Sequence, residues 1–206
     1  AGIELFVLDD GWFGKRNNDT CSLGDWKVNY DKLPSGIDGL AEKINKIGMK
    51  FGLWFEPEMI SPDSDLYREY PDWAIHIDER EGVQSRNQMV LDLSRDEVCE
   101  YVINAVSNIL ANANIEYVKW DMNRQLTDMP RLGYNHEYTL GYYKIMSAIT
   151  EKFPNILFEG CSSGGGRFDA GVLAYMPQIW TSDNSDAIAR LKMQYSTSMC
   201  YPVYSI

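Results

Sequence analysis

Apolar runs and polar clusters alternate along the chain in the rhythm of strand, polar loop and helix. Residues 1–8 hold Ile3, Leu5, Phe6, Val7 and Leu8, which predicts a buried parallel strand running into Asp9-Asp10-Gly11-Trp12. Four further β-branched or aromatic runs, residues 49–55, 115–120, 156–159 and 177–181, each end in a polar or charged cluster. Residues 201–206 are a candidate for a sixth strand.

The stretches between these runs have helical periodicity. Residues 39–47, 94–113 and 138–153 are expected to be helices, and 186–200 another. In the second of them Val98, Val102, Val106 and Leu110 recur every four residues, the stripe that one helix face buries. Ser94, followed by Asp96 and Glu97, is its expected N-terminal cap. Residues 56–86, with Pro57, Pro62 and Pro71, are expected to be a long loop over an active site.

Repeated βα units give an α/β fold with a parallel sheet, either open with helices on both faces or closed into an eight-stranded TIM barrel. Periodicity leaves both open. The placement of polar groups leans toward the barrel, because barrel strand ends converge on one face and nearly every strand here ends in a reactive-looking side chain. Five or six strands would leave such a barrel present only in part. No Gly/Ser/Pro linker, repeat or low-complexity tract marks a second domain in residues 1–206.

Three of those strand ends carry acids. Asp9 and Asp10 leave the first strand side by side; a turn or helix cap accounts for one of them, and paired carboxylates also grip sugar hydroxyls. In Tyr117-Val118-Lys119-Trp120-Asp121-Met122-Asn123-Arg124 the period of two puts Lys119 and Asp121 on one face, where the lysine is expected to keep the aspartate ionised. The alternative is a buried structural ion pair. Trp180-Thr181-Ser182-Asp183-Asn184-Ser185-Asp186 supplies a further carboxylate, and two acids are what glycoside hydrolysis needs.

Composition narrows the partners. A net charge of -11 without a Lys/Arg-rich run argues against nucleic acid, and no apolar run reaches the length of a membrane span. Aromatic residues make up 13%, enough to fill a core and leave flat rings for sugar faces. Cys21, Cys99, Cys161 and Cys200 are scattered, so neither a zinc site nor a disulfide framework is expected, and a cytoplasmic location is the simpler expectation. His76 and His136 are the sole histidines, too few for a metal-dependent hydrolase, so no metal and no cofactor are expected. The small-residue stretch Gly160-Cys161-Ser162-Ser163-Gly164-Gly165-Gly166 lacks the lysine of a phosphate loop and the spacing of a serine-hydrolase elbow.

Five segments together resemble the catalytic barrel of family 36 glycoside hydrolases, the bacterial α-galactosidases and their relatives. They are Leu8-Asp9-Asp10-Gly11-Trp12-Phe13-Gly14, Gly52-Leu53-Trp54-Phe55-Glu56-Pro57-Glu58, Lys119-Trp120-Asp121-Met122-Asn123, Cys161-Ser162-Ser163-Gly164-Gly165-Gly166-Arg167 and Trp180-Thr181-Ser182-Asp183-Asn184. The resemblance implies that Asp121 is the nucleophile, Asp183 the acid/base and Asp186 a helix cap. It implies that Asp9 and Asp10 bind galactose hydroxyls, that Lys119, Asn123, Cys161 and the Gly164 backbone hold the ring, and that Trp54 is an apolar wall. Arg86, in Ser85-Arg86-Asn87-Gln88, corresponds to a family arginine near the nucleophile. By the same resemblance the chain covers about strand 2 to the start of strand 7 of the barrel, without the family's flanking β-sandwich and C-terminal β domain. The implied activity is retaining hydrolysis of α-galactosides such as melibiose and raffinose, in a full-length protein that is a homotetramer. The alternatives are galactosyl transfer of the raffinose or stachyose synthase type, and a galactoside-binding barrel without catalysis.

Overall fold

The computed structural model describes residues 2–206. Its elements in chain order are β1 (Leu5–Leu8), α1 (Gly36–Lys46), β2 (Lys50–Phe55), β3 (Met59–Ile60), α2 (Asp65–Glu69), β4 (Met89–Val90), α3 (Asp96–Ala111), β5 (Tyr117–Trp120), α4 (Tyr134–Lys152), β6 (Leu157–Gly160), β7 (Gln178–Ile179) and α5 (Ala187–Ser198). Five strands form one parallel sheet in the order β1-β2-β5-β6-β7. Each strand adds beside the previous strand of the sheet, so the order never reverses as it does in a doubly wound sheet. The crossovers between them place α1, α3 and α4 against a common core, and crossovers between parallel neighbours are right-handed as a rule.

The register shows why the two faces differ. Trp54 pairs with Lys119, Lys119 with Glu159 and Glu159 with Gln178, which places all four on one face. The neighbouring row, Leu53, Val118 and Phe158, points the other way and is buried. It joins Phe51, Phe55 and Trp120 in one apolar core with Ile37 and Ala41 of α1, Val98, Val102 and Val106 of α3, and Ile145 and Ile149 of α4. The stripe read from the spacing of α3 is thus the face it buries. Gly141 lets α4 approach the chain before α3, since a Cβ there would lie 1.8 Å from the Leu93 carbonyl oxygen.

Several expectations need correction. Residues 201–206 form no strand; Pro202 opens a 3-10 turn, Val203–Ser205, in which the Ser205 amide donates to the Pro202 carbonyl at 3.0 Å. Ser94 does not cap α3. Its amide and hydroxyl both donate to Asp92 Oδ1, at 3.0 and 2.6 Å, and Arg95 occupies the cap position without a side-chain bond. Residues 56–86 are not one long loop, because Met59–Ile60 pairs antiparallel with Met89–Val90 and Ser64 caps α2 by accepting from the Tyr67 amide at 3.0 Å. A two-residue apolar pair is too short to show a period. β1 is half-buried rather than buried, since it has one neighbour in the sheet among the described residues.

Candidate active site

The C-terminal ends of β1, β2, β5 and β7 open on one cleft of about 200 Å³. It is lined by Asp9 and Asp10 after β1, Trp54 and Glu56 at the end of β2, Lys119, Asp121 and Asn123 around the end of β5, and Asp183 after β7, with Arg16, Asp19, Arg86 and Gln88 from loops. Larger depressions lie elsewhere, one of about 490 Å³ beside Trp26 and α3 and one of about 630 Å³ around Asp25 and Arg68. The cleft is singled out by the acids that converge on it.

Asp121 lies at the floor, 6% exposed. Its Oδ1 accepts the Met122 amide at 2.9 Å, and its Oδ2 accepts Trp54 Nε1 at 3.1 Å and Asn123 Nδ2 at 2.7 Å. The donors come from two adjacent strands and their following residues, so the carboxylate cannot turn without breaking bonds to both. Trp54, expected as an apolar wall, also works through its indole N–H. Trp12 Nε1 donates to the Trp54 carbonyl at 2.9 Å and fixes the strand beneath it.

Lys119 shares the cleft with Asp121, as the period of two requires, but its direct partner is Asp9. Its Nζ donates to Asp9 Oδ2 at 3.1 Å. Burial is the largest influence and opposes its charge; the Asp9 carboxylate, with smaller contributions from Cys161 and Asp121, raises the lysine above its usual range. The expected Lys119–Asp121 pair is corrected accordingly, because the sheet's face fixes the side on which Lys119 lies without fixing which acid it reaches. Asp10 has its own cation: the buried Arg16 forks onto it from Nε at 3.0 and 3.1 Å and from Nη2 at 2.8 Å, while Arg16 Nη1 donates to the Cys21 carbonyl at 2.8 Å. Such a fork fixes orientation as well as charge.

Asp183 is exposed at the rim, and Trp180 Nε1 donates to its Oδ1 at 2.9 Å. The same indole lies 5.8 Å from Lys119 Nζ and 4.5 Å from the Arg190 guanidinium. Asp186 caps α5 through the Ala189 amide at 2.8 Å, so the two neighbouring acids have separate jobs. Arg86 sits in a left-handed conformation, φ 54°, in a loop whose Val83 and Gln88 carbonyls accept from Arg124 at 2.6 and 2.9 Å.

Cys161 and Gly164 do not line the cleft. Cys161 is buried behind Asp121, and burial, with the Asp121 charge second, pushes its thiol far up, so it remains a protonated donor. Gly164, φ 94°, has its backbone against β7's continuation, where a Cβ would come within 3.0 Å of Ser182 Cα. Four cleft residues carry no expectation from the sequence: Arg16, Asp19, Glu56 and Gln88. Glu56 could have been found, since the period that brings Trp54 to the cleft brings the residue two positions on. It is 1% exposed, and burial, with the Asp121 charge second, raises its carboxyl to about 7.

The Melibiase family profile matches residues 1–206. This chain belongs to the melibiase family. It is 58% identical to α-galactosidase AgaA of Geobacillus stearothermophilus over 98% of this chain and 29% of that protein, and 54% identical to the bifunctional α-galactosidase/sucrose kinase AgaSK of Mediterraneibacter gnavus over 98% and 22%. The crystal structure of the Geobacillus GH36 α-galactosidase superposes with a TM-score of 0.95, over 98% of this chain and 29% of that one. A variant of the same enzyme in complex with raffinose gives 0.95 at 57% identity, again over 98% of this chain and 29% of that one. The melibiase chain thus has the α/β fold of these enzymes, and it spans less than a third of the length of these relatives.

Proposed function

We propose that this chain carries the catalytic centre of a retaining α-galactosidase, with Asp121 as nucleophile and Asp183 as acid/base. The observation that carries the reading is the hold on Asp121: three donors, one from β2 and two from the residues just past β5, aim its carboxylate into a cleft that Asp183 also lines. Retention needs one carboxylate fixed for attack on the anomeric carbon and a second, about 5 Å away, free to exchange protons with the leaving oxygen and water. A buried, bonded Asp121 and an exposed, singly bonded Asp183 fit those two roles.

In the first step Asp121 attacks the anomeric carbon while Asp183 protonates the departing oxygen. In the second, Asp183 takes the proton of a water that attacks the galactosyl ester, which restores both groups. Asp9 and Asp10, each oriented by its own cation, are acceptors suited to the hydroxyls at the far side of the ring. The solved complexes of the Geobacillus relative with raffinose and stachyose support a galactosyl oligosaccharide as substrate. We read the sheet as part of an eight-stranded barrel; its sequential strand order and the acids gathered at strand C-termini support that architecture.

The test is Asp121→Gly in the full-length enzyme. Activity on an aryl α-galactoside falls by about 10⁴-fold or more, and azide restores turnover with β-galactosyl azide as product. Near-normal activity refutes the assignment.

A further inference from the structure

Glu56 is a buried carboxyl group in the cleft wall that the proposed reaction does not use. Its Oε1 accepts the Asn123 amide at 2.5 Å and Gln88 Nε2 at 3.0 Å. Asn123 in turn donates from Nδ2 to Asp121 Oδ2 at 2.7 Å, and its Oδ1 accepts the Ser163 hydroxyl at 3.1 Å. One residue is therefore held at its main chain by Glu56 and at its side chain by the proposed nucleophile. The last ladder bond beyond β5 is that of the Asp121 amide to the Phe55 carbonyl at 2.7 Å, and Arg124 is next held, by the Val83 and Gln88 carbonyls. Between those two holds the Asn123 amide has Glu56 as its partner.

We propose that Glu56 is a positioning residue for Asp121, acting through Asn123, and that it needs only an acceptor oxygen to do so. The inference rests on the reading of Asp121 as nucleophile. Burial and the Asp121 charge favour the neutral acid, whose carbonyl oxygen still accepts both bonds. A glutamine offers an oxygen in the same place; alanine offers none. Gln88, the second group on Oε1, belongs to the segment that carries Arg86, so the same carboxyl ties that segment to the floor of the cleft.

The experiment is a double-mutant cycle in the full-length enzyme with an aryl α-galactoside. Glu56→Ala lowers kcat by about 10²-fold, the cost of a small misplacement of a reacting group, while KM stays within about 3-fold. Glu56→Gln keeps kcat within about 5-fold of the parent, because the acceptor is retained. Asn123→Ala lowers kcat by a similar factor to Glu56→Ala, and the double variant loses no more than about 3-fold beyond either single one, since both remove the same support. Should Glu56→Ala not yield folded protein, Glu56→Met takes its place, filling the volume without an acceptor.

Multiplying losses in the double variant, or parental kcat in Glu56→Ala or Glu56→Met, overturn the proposal. The Asp121→Gly experiment separates the two readings. An azide-rescued Asp121→Gly with multiplying losses removes the role of Glu56 and leaves the nucleophile; an active Asp121→Gly removes the nucleophile itself.

Discussion

Replacing Glu56 with glutamine removes an ionisable group from the cleft wall while keeping its shape. Burial, then the nearby Asp121 charge, lifts this carboxyl from the ordinary 4.5 to about 7 in the folded protein. The unfolded chain gives up the proton near 4.5, so the folded state binds it more tightly throughout that interval. The group's contribution is complete below 4.5 and is lost as pH rises to about 7. Integrated over the interval, the loss is on the order of 3 kcal/mol. Glutamine has no proton to lose. Parent and Glu56→Gln are therefore expected to unfold at similar temperatures at about pH 4, below both values, and the variant to be more stable by about 3 kcal/mol at about pH 8, with the higher unfolding temperature there. Thermal unfolding of both full-length proteins across that range is the measurement. Parallel curves, with the same difference in unfolding temperature at every pH, refute the assignment of a buried, proton-holding carboxyl at this position.

Two further outcomes follow from individual contacts. Trp54→Phe keeps most of the ring but deletes the indole N–H bonded to Asp121 at 3.1 Å; a hydrogen bond to a charged group contributes about 1.5–3 kcal/mol, so kcat on an aryl galactoside is expected to fall roughly 10- to 100-fold with the fold intact by circular dichroism. Gly141→Ala would put a methyl group 1.8 Å from the Leu93 carbonyl oxygen, so α4 must shift from its seat against the chain before α3. A loss of about 1–3 kcal/mol in denaturant unfolding is expected, of the size found for overpacked cores.

The strands and the strand-end acids were legible because both follow from local pattern. A buried parallel strand is an apolar run, and the residues just beyond its end face the cleft whatever the rest of the chain does. Asp121 and Lys119 were placed on one face by a period that holds over three residues. The partner of Lys119 was not legible, since Asp9 lies 110 residues away and meets it because β1 and β5 flank β2. Arg16 escaped for a related reason: its fork onto Asp10 depends on how the loop after β1 folds back, which no periodicity encodes. Ser94 failed as a cap because Asp92, two residues earlier, is the better local acceptor. The resemblance to family motifs supplied what the pattern lacked in choosing Asp183 over Asp186, and the geometry gives each of those acids a distinct partner.

Glu58, two residues past Glu56 and fully buried, accepts from Trp120 Nε1 at 2.8 Å, from the Tyr138 hydroxyl at 2.7 Å and from both terminal nitrogens of Arg167 at 2.9 and 2.8 Å. These partners lie 62, 80 and 109 residues further along the chain. A chain that ends before residue 167 holds the end of β2 without this countercharge, and a carboxylate buried alone is costly, so Glu58 there must stay wet or take up a proton. The settled core beneath the first strands of the sheet therefore depends on a side chain 109 residues further on.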